Sequence, residues 1–292
     1  MAKNLPPLVA AELAQPVDQR AAAMAGALAA RYANAARAVL FYGSCLRERN
    51  LDGLMLDFYL IVSDYRSAYG GGWLATANRM IPPNVFPFEH QGLIAKYAVL
   101  SEADFARLNG MDADNVSVWA RFSQPARLLW VSDAMARARV IGAIAGAVPT
   151  LLSLARPMAD EGVPVLELWK TGFALTYNAE LRAEKTGRST SIVDADPVRY
   201  SRFGEAALAD GLPPAPQHTA RHWRRLQRRG KFLSIARLAK ASFTYAGGID
   251  YLAWKINRHA GTALEIKPWQ RRWPLLGAIT LLPRLLRSGV IR

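Results

Sequence analysis

Two apolar runs of strand length, Ala38–Tyr42 and Met55–Val62, stand one short loop apart, and each is followed or interrupted by a residue that a plain strand pair does not need. The first run ends in Gly43-Ser44; the second carries a single carboxylate, Asp57, among Leu56, Phe58 and Leu60. Runs rich in aromatic and branched residues, bounded by turn formers such as Asn50-Leu51-Asp52-Gly53, predict neighbouring strands. A glycine after a strand lets backbone N–H groups approach a phosphate closely, and a serine hydroxyl can donate to the same oxyanion. An aspartate on the next strand could hold Mg²⁺ against a triphosphate, since that ion takes a few carboxylates together with phosphate oxygens. The plainer alternative is a tight turn beside a solvated aspartate. An unpaired carboxylate is costly in so apolar a strand, which favours the functional reading of Asp57.

The remaining pattern extends this start into an α+β chain. Val17–Ala38 is alanine-rich with Leu28, Tyr32 and Leu40 near helical spacing, which predicts a helix packed on the sheet. Gly70-Gly71-Gly72 and Pro82-Pro83 bracket a loop-rich stretch around a short helix at Trp73–Met80. Gly92–Leu100 and Ala126–Val131 predict two further strands. The first runs into Ser101-Glu102-Ala103-Asp104, the second into Ser132-Asp133, and both have the form of helix N-caps. Helices are then expected at Asp133–Ala155, Val163–Arg182 and Pro197–Ala209, before the proline-rich linker Leu212–Pro216. The division expected is a mixed sheet with helices over residues 1–132, a mainly helical domain over 133–212 and a basic helical segment over 218–292.

Charge separates the last of these from the rest. Residues 1–217 carry 21 Lys+Arg against 21 Asp+Glu; residues 218–292 carry 16 Lys+Arg against only Asp250 and Glu265. The whole excess of +14 therefore lies in the last quarter of the chain and predicts a polyanionic partner. A lone cysteine, Cys45, excludes a disulfide framework and a CxxC metal site. His218 and His222 share helical spacing inside a basic run, which reads as a solvated face rather than a zinc site. Met1–Pro16 has no long apolar core of the kind a secretory signal needs. Val140–Ala155 comes nearest to a membrane span, but it is short of about 20 apolar residues and contains Pro149, so a buried helix is expected.

Taken in order along the chain, these pieces resemble one family. Phe41-Tyr42-Gly43-Ser44 and Met55-Leu56-Asp57-Phe58 through Ser63-Asp64 look like the opening of the nucleotidyltransferase domain of mitochondrial-type phosphatidate cytidylyltransferases (translocator assembly and maintenance protein). Leu93 to Ser101 is similar to that family's lysine–tyrosine–glycine strand, with Ala98 in place of the glycine. Trp119 through Leu128 and Thr176 through Arg182 resemble two later elements, and Phe232–Gly261 its basic C-terminus. The family's histidine-containing pieces after the aspartate strand are missing here. The resemblance implies a nucleotidyltransferase-like fold that moves a cytidylyl group from CTP to phosphatidic acid, giving CDP-diacylglycerol and pyrophosphate with Mg²⁺. It further implies a peripheral protein of the cytoplasmic face of a bacterial inner membrane, or of the mitochondrial matrix side.

On that reading Gly43 and Ser44 cradle the β- and γ-phosphates and Asp57 is the principal Mg²⁺ ligand. The same-face position beyond Asp57, where many nucleotidyltransferases carry a second acid, holds Tyr59. A second ligand is expected from Asp64 first, and otherwise from Asp52 or Glu180. Lys96, inside an apolar strand, needs an anionic partner, which could be a phosphate or Asp57 itself. Glu180 carries over as a late catalytic carboxylate. In the basic segment Arg221, Arg224, Arg225, Arg228, Arg229, Lys231, Arg237 and Lys240 have no acid among them, and Leu226, Phe232, Leu233, Ile235 and Leu238 accompany them on a helix. Trp254, Trp269 and Trp273 lie among further cations. Tryptophan beside arginine suits an anionic membrane surface or RNA; the apolar run Leu275–Leu286 favours the membrane, since nucleic acid has nothing to bury it. The alternatives are a transferase acting on RNA or a small hydroxyl acceptor, and a non-catalytic binding member of the fold.

Overall fold

A five-stranded mixed sheet forms the centre of the chain, in the order β3-β4-β2-β1-β5. The strands are β1 (Ala36–Tyr42), β2 (Met55–Val62), β3 (Asn84–His90), β4 (Leu93–Ser101) and β5 (Ala126–Val131). Only the β2–β4 pair is parallel; β1–β2, β1–β5 and β3–β4 are antiparallel. The computed structural model describes residues 4–48, 50–179, 192–244 and 266–268. An α+β architecture is therefore what the chain adopts.

The central strands are apolar on both faces because both faces are covered. Side chains alternate across the sheet. Val39, Phe41, Phe58 and Leu60 point to one core, which α2 (Gln19–Ala30) fills with Ala21, Met24, Ala25 and Leu28. Leu40, Tyr42, Tyr59 and Ile61 point to the other, covered by α1 (Leu5–Leu13), α5 (Glu102–Leu108), α6 (Trp119–Phe122) and α7 (Ala134–Ala155). Behind them α8 (Val165–Tyr177), α9 (Pro197–Ala209) and α10 (Thr219–Thr244) join the same core through Trp169, Phe203 and Trp223. That core runs without a break from the sheet across residue 132 to Leu226. By length and composition α7 could cross a membrane, yet Val140, Ile144, Val148, Leu151 and Leu152 are the middle of this core. It is a buried helix.

Local signals account for most boundaries. The side chains of Ser101 and Asp133 accept hydrogen bonds from the backbone N–H groups of Asp104 and Ala136 and start α5 and α7. Pro197 opens α9 after the cap Asp196, a position that costs no hydrogen bond. Two expectations fail. The helix expected over Val17–Ala38 stops at Ala30, because Ala33 takes a φ of 42° and turns the chain into β1. Strand β3 lies between the loop-rich stretch and the strand expected at Gly92–Leu100, where no strand was expected, and it contains Pro87. A sheet edge tolerates proline, and β3 is an edge. Between β2 and β3 lie the short helices α3 (Tyr65–Tyr69) and α4 (Gly72–Met80).

Candidate functional site

Strand register places the predicted residues at one end of the sheet. Tyr42, the last residue of β1, pairs with Asp57 on β2, and Asp57 pairs in turn with Lys96 on β4. Residues directly opposite one another share a face, so Tyr42, Asp57 and Lys96 all project toward the α6–α7 side. The Lys96 ammonium lies 3.0 Å from Asp57 Oδ1, with the two side chains 29% and 20% exposed. Both alternatives weighed for Lys96 need an anion, and the anion found here is Asp57.

Gly43 leaves β1 at φ 94°, a conformation that side chains resist. A Cβ at this position would lie 3.0 Å from Asp57 Oδ2. The turn therefore brings main chain directly against the carboxylate, and only glycine fits between them. Ser44 follows, exposed, in a 3₁₀ turn over Ser44–Arg47. Next to it the thiol of Cys45 is buried, and burial first, the Asp57 charge second, push its pKa up. Such a shift favours the thiol over the thiolate.

Asp64 sits elsewhere. It lies seven residues beyond Asp57, about 23 Å at the rise of a strand, and at the opposite end of the sheet. Its carboxylate caps α3, accepting hydrogen bonds from the N–H groups of Arg66 and Ser67 at 2.9 Å each and from the Ser67 hydroxyl at 2.6 Å. The Ser67 hydroxyl, then its N–H, hold the Asp64 carboxyl below the usual range. The expectation that Asp64 completes a metal pair with Asp57 is corrected: alternate residues share a face only locally, and β2 carries Asp64 to its far end before the chain turns. Asp52 forms an ion pair with Arg20 at 2.7 Å in the loop before β2. Glu180, with Arg182, lies outside the described residues.

Among the described residues there is no group of three or more His, Cys, Asp or Glu side chains close enough to share a metal. The donors at the site suit Mg²⁺ only in its phosphate-borne mode. One carboxylate, Asp57, can take a coordination position while substrate phosphates and water supply the others.

An aromatic cluster forms the wall beside Asp57. The ring of Tyr59 packs on Tyr42 and on Phe122 at 5.2 Å each, and Phe122 packs edge-on to Phe105 at 4.9 Å. Arg121, next to Phe122 on α6, lays its guanidinium carbon 4.8 Å over the Tyr42 ring. This arginine was not among the residues picked from the sequence. The available signal was a single cation inside Val118-Trp119-Ala120-Arg121-Phe122, where apolar neighbours demand a reason for a charge. Behind α6, Arg199 and Glu12 form a buried ion pair, with Arg199 NH2 3.0 Å from Glu12 Oε1 and NH1 donating to the Ser123 carbonyl at 3.0 Å. That pair fastens α1, α9 and the end of α6 together.

The basic helix α10 divides its residues between two faces. Trp223, Leu226 and Leu233 are buried, and the Trp223 indole N–H donates to the Leu154 carbonyl at 2.8 Å. Gly230 lies so near the Ala179 carbonyl that a Cβ there would collide with it. The apolar side expected to accompany the cations to a membrane is, in Leu226 and Leu233, buried in the protein instead. Arg221, Arg224, Arg225, Arg228 and Arg229 recur every third or fourth residue on the exposed side and line one open depression. Phe232 stands on that side too, 67% exposed. Arg237 and Lys240 are not part of this surface. Arg237 Nε donates to the Pro82 carbonyl at 2.8 Å, and Lys240 donates to the carbonyls of Ile81 and Pro83, the latter at 2.8 Å. Trp254, Trp269, Trp273 and Leu275–Leu286 lie outside the described residues.

No protein-family model matches this chain, and no curated protein matches it.

Proposed function

We propose that this chain is a nucleotidyltransferase, with CTP as donor and phosphatidic acid as acceptor. The observation that carries the transfer reading is the contact of Gly43 with Asp57: main chain in a positive-φ turn, a carboxylate 3.0 Å from where a side chain would start, and Lys96 3.0 Å beyond it. Backbone N–H groups at such a turn can hold a departing pyrophosphate, and Lys96 can shift from Asp57 to a phosphate oxygen as the substrate arrives. Mg²⁺, bound with the triphosphate, would supply charge neutralisation, and Asp57 is the residue that would hold it. The identity of base and acceptor rests on the ordered resemblance described above.

The acceptor reading draws support from α10, whose exposed face is arginine-rich. An anionic membrane would attract it, each cation contributing about 1 kcal/mol near the surface. Incubating the purified protein with labelled CTP, Mg²⁺ and vesicles containing phosphatidic acid tests the proposal. CDP-diacylglycerol and pyrophosphate in equal amounts are expected; neither, in a preparation shown to be folded, would overturn it. Tyr59 in the same-face position beyond Asp57 favours a second reading, a member of the fold that binds nucleotide without transferring it. Calorimetry showing CTP and Mg²⁺ binding without turnover on any acceptor would select that reading.

A further inference from the structure

We infer that Arg121 is a phosphate-binding residue of the Asp57–Lys96 site, acting as its second cationic arm. The inference extends the transfer reading above, but its geometry stands apart from any particular donor or acceptor. Phe122 anchors α6 over the site face of the sheet through Tyr42, Tyr59 and Phe105. The neighbouring Arg121 is only partly buried and rests its guanidinium on Tyr42. Tyr42 is the strand partner of Asp57, and cross-strand partners have Cβ atoms about 5 Å apart. Across the sheet end the order is therefore Arg121 on Tyr42, then Asp57, then Lys96, with the Gly43 turn against the middle member. One cation touches the carboxylate and a second rests on the carboxylate's strand partner.

That arrangement suits an anionic ligand. Lys96 pairs with Asp57, and a guanidinium fixed on an aromatic face keeps its donor edge in a defined plane. A planar fork of this kind matches two oxygens of one phosphate, which an ammonium does not. The buried Glu12–Arg199 pair, through the Ser123 carbonyl, holds the end of α6 and so the height of Arg121 above the sheet. The ligand group is a phosphate; it could belong to the nucleotide or to the acceptor.

Isothermal titration of the full chain with inorganic pyrophosphate, and separately with CTP and Mg²⁺ and with phosphatidic acid vesicles, tests this. Wild type is compared with Arg121→Lys, Arg121→Gln and the surface control Arg137→Gln, on the exposed side of α7, each checked for an unchanged near-ultraviolet spectrum. Pyrophosphate affinity is expected to fall at least tenfold in both Arg121 variants and to hold in Arg137→Gln. A matching loss with CTP assigns the arginine to the nucleotide; a matching loss with phosphatidic acid and none with CTP assigns it to the acceptor. Should Arg121→Gln abolish folding, Arg121→Lys alone is decisive, since it keeps charge and length but not the fork. Equal affinity of wild type and a folded Arg121→Lys for all three probes overturns the inference, as does an absence of binding to any probe by wild type. Arginine-dependent pyrophosphate binding without cytidylyl transfer would sustain it while sinking the transfer reading.

Discussion

Asp57 and Lys96 face each other across the parallel strand pair β2–β4, 3.0 Å apart and each about a quarter exposed, at the point where the Gly43 turn meets the strands. A carboxylate and an ammonium in this position neutralise each other and stay within reach of a ligand. Asp57→Asn is expected to lower transfer by at least about 100-fold, because a neutral amide would hold Mg²⁺ far more weakly than the carboxylate and the charge neutralisation the ion supplies would be lost. Steady-state rates with CTP and phosphatidic acid measure it, and a circular dichroism spectrum matching wild type must accompany it. Retained turnover would place the metal elsewhere.

Gly43→Ala tests the turn itself. The added methyl meets Asp57 Oδ2 at 3.0 Å, and the φ of 94° is strained for alanine. A loss of about 1–3 kcal/mol in urea unfolding is expected, together with weaker nucleotide binding. A neutral substitution would mean that the turn relaxes without consequence for the site.

The buried pair Glu12–Arg199 joins residues 187 apart in the chain. Arg199 is 7% exposed, so removing its partner leaves a charge with no solvent. Glu12→Gln should cost about 3–5 kcal/mol, read from denaturant midpoints. Changing both partners to apolar residues of similar volume should recover much of that loss.

Lys240 makes stability depend on pH. Burial, and then the charge of Arg237, press its pKa from the ordinary lysine range down to about 7. The unfolded chain keeps a value of about 10.4, so between pH 7 and pH 10.4 the unfolded state binds the extra proton and folding grows more favourable as pH rises. Below about pH 7 both states are protonated and the full penalty for burying the ammonium applies. Unfolding free energies at pH 6.5 and 9.5, wild type minus Lys240→Met, should show this rise; a difference independent of pH would refute it.

The exposed arginines of α10 give the last prediction. Replacing Arg224, Arg225 and Arg228 by glutamine should weaken flotation with anionic vesicles by about two orders of magnitude, at roughly 1 kcal/mol for each cation. Added salt should narrow the gap. Vesicles of neutral lipid serve as the baseline, and an unchanged partition would remove α10 from the membrane surface.

Much was legible in the residue order because it follows from short-range chemistry. Strands β2 and β5 and helix α9 begin and end where the sequence predicts, since apolar alternation, caps and proline act within a few residues. The strand fate of Gly43's neighbours and of Asp57 was legible for the same reason. What pairs with what was not. Lys96 could have met a phosphate or Asp57, and register on a parallel neighbour sets it beside Asp57. Asp64 looked like its companion, yet strand length carries it to the other end, where it caps a helix. Arg237 and Lys240 read as part of a free basic face until folding placed backbone carbonyls of Ile81, Pro82 and Pro83 against them. Arg121 gains meaning only once Phe122 pins α6 over Tyr42. The sequence determined which segments become helix or strand and where the excess charge lies, because propensity, capping and composition are local properties. Tertiary structure alone decided which charges meet and which remain on the surface, because distance across the sheet depends on register and packing between segments far apart in the chain.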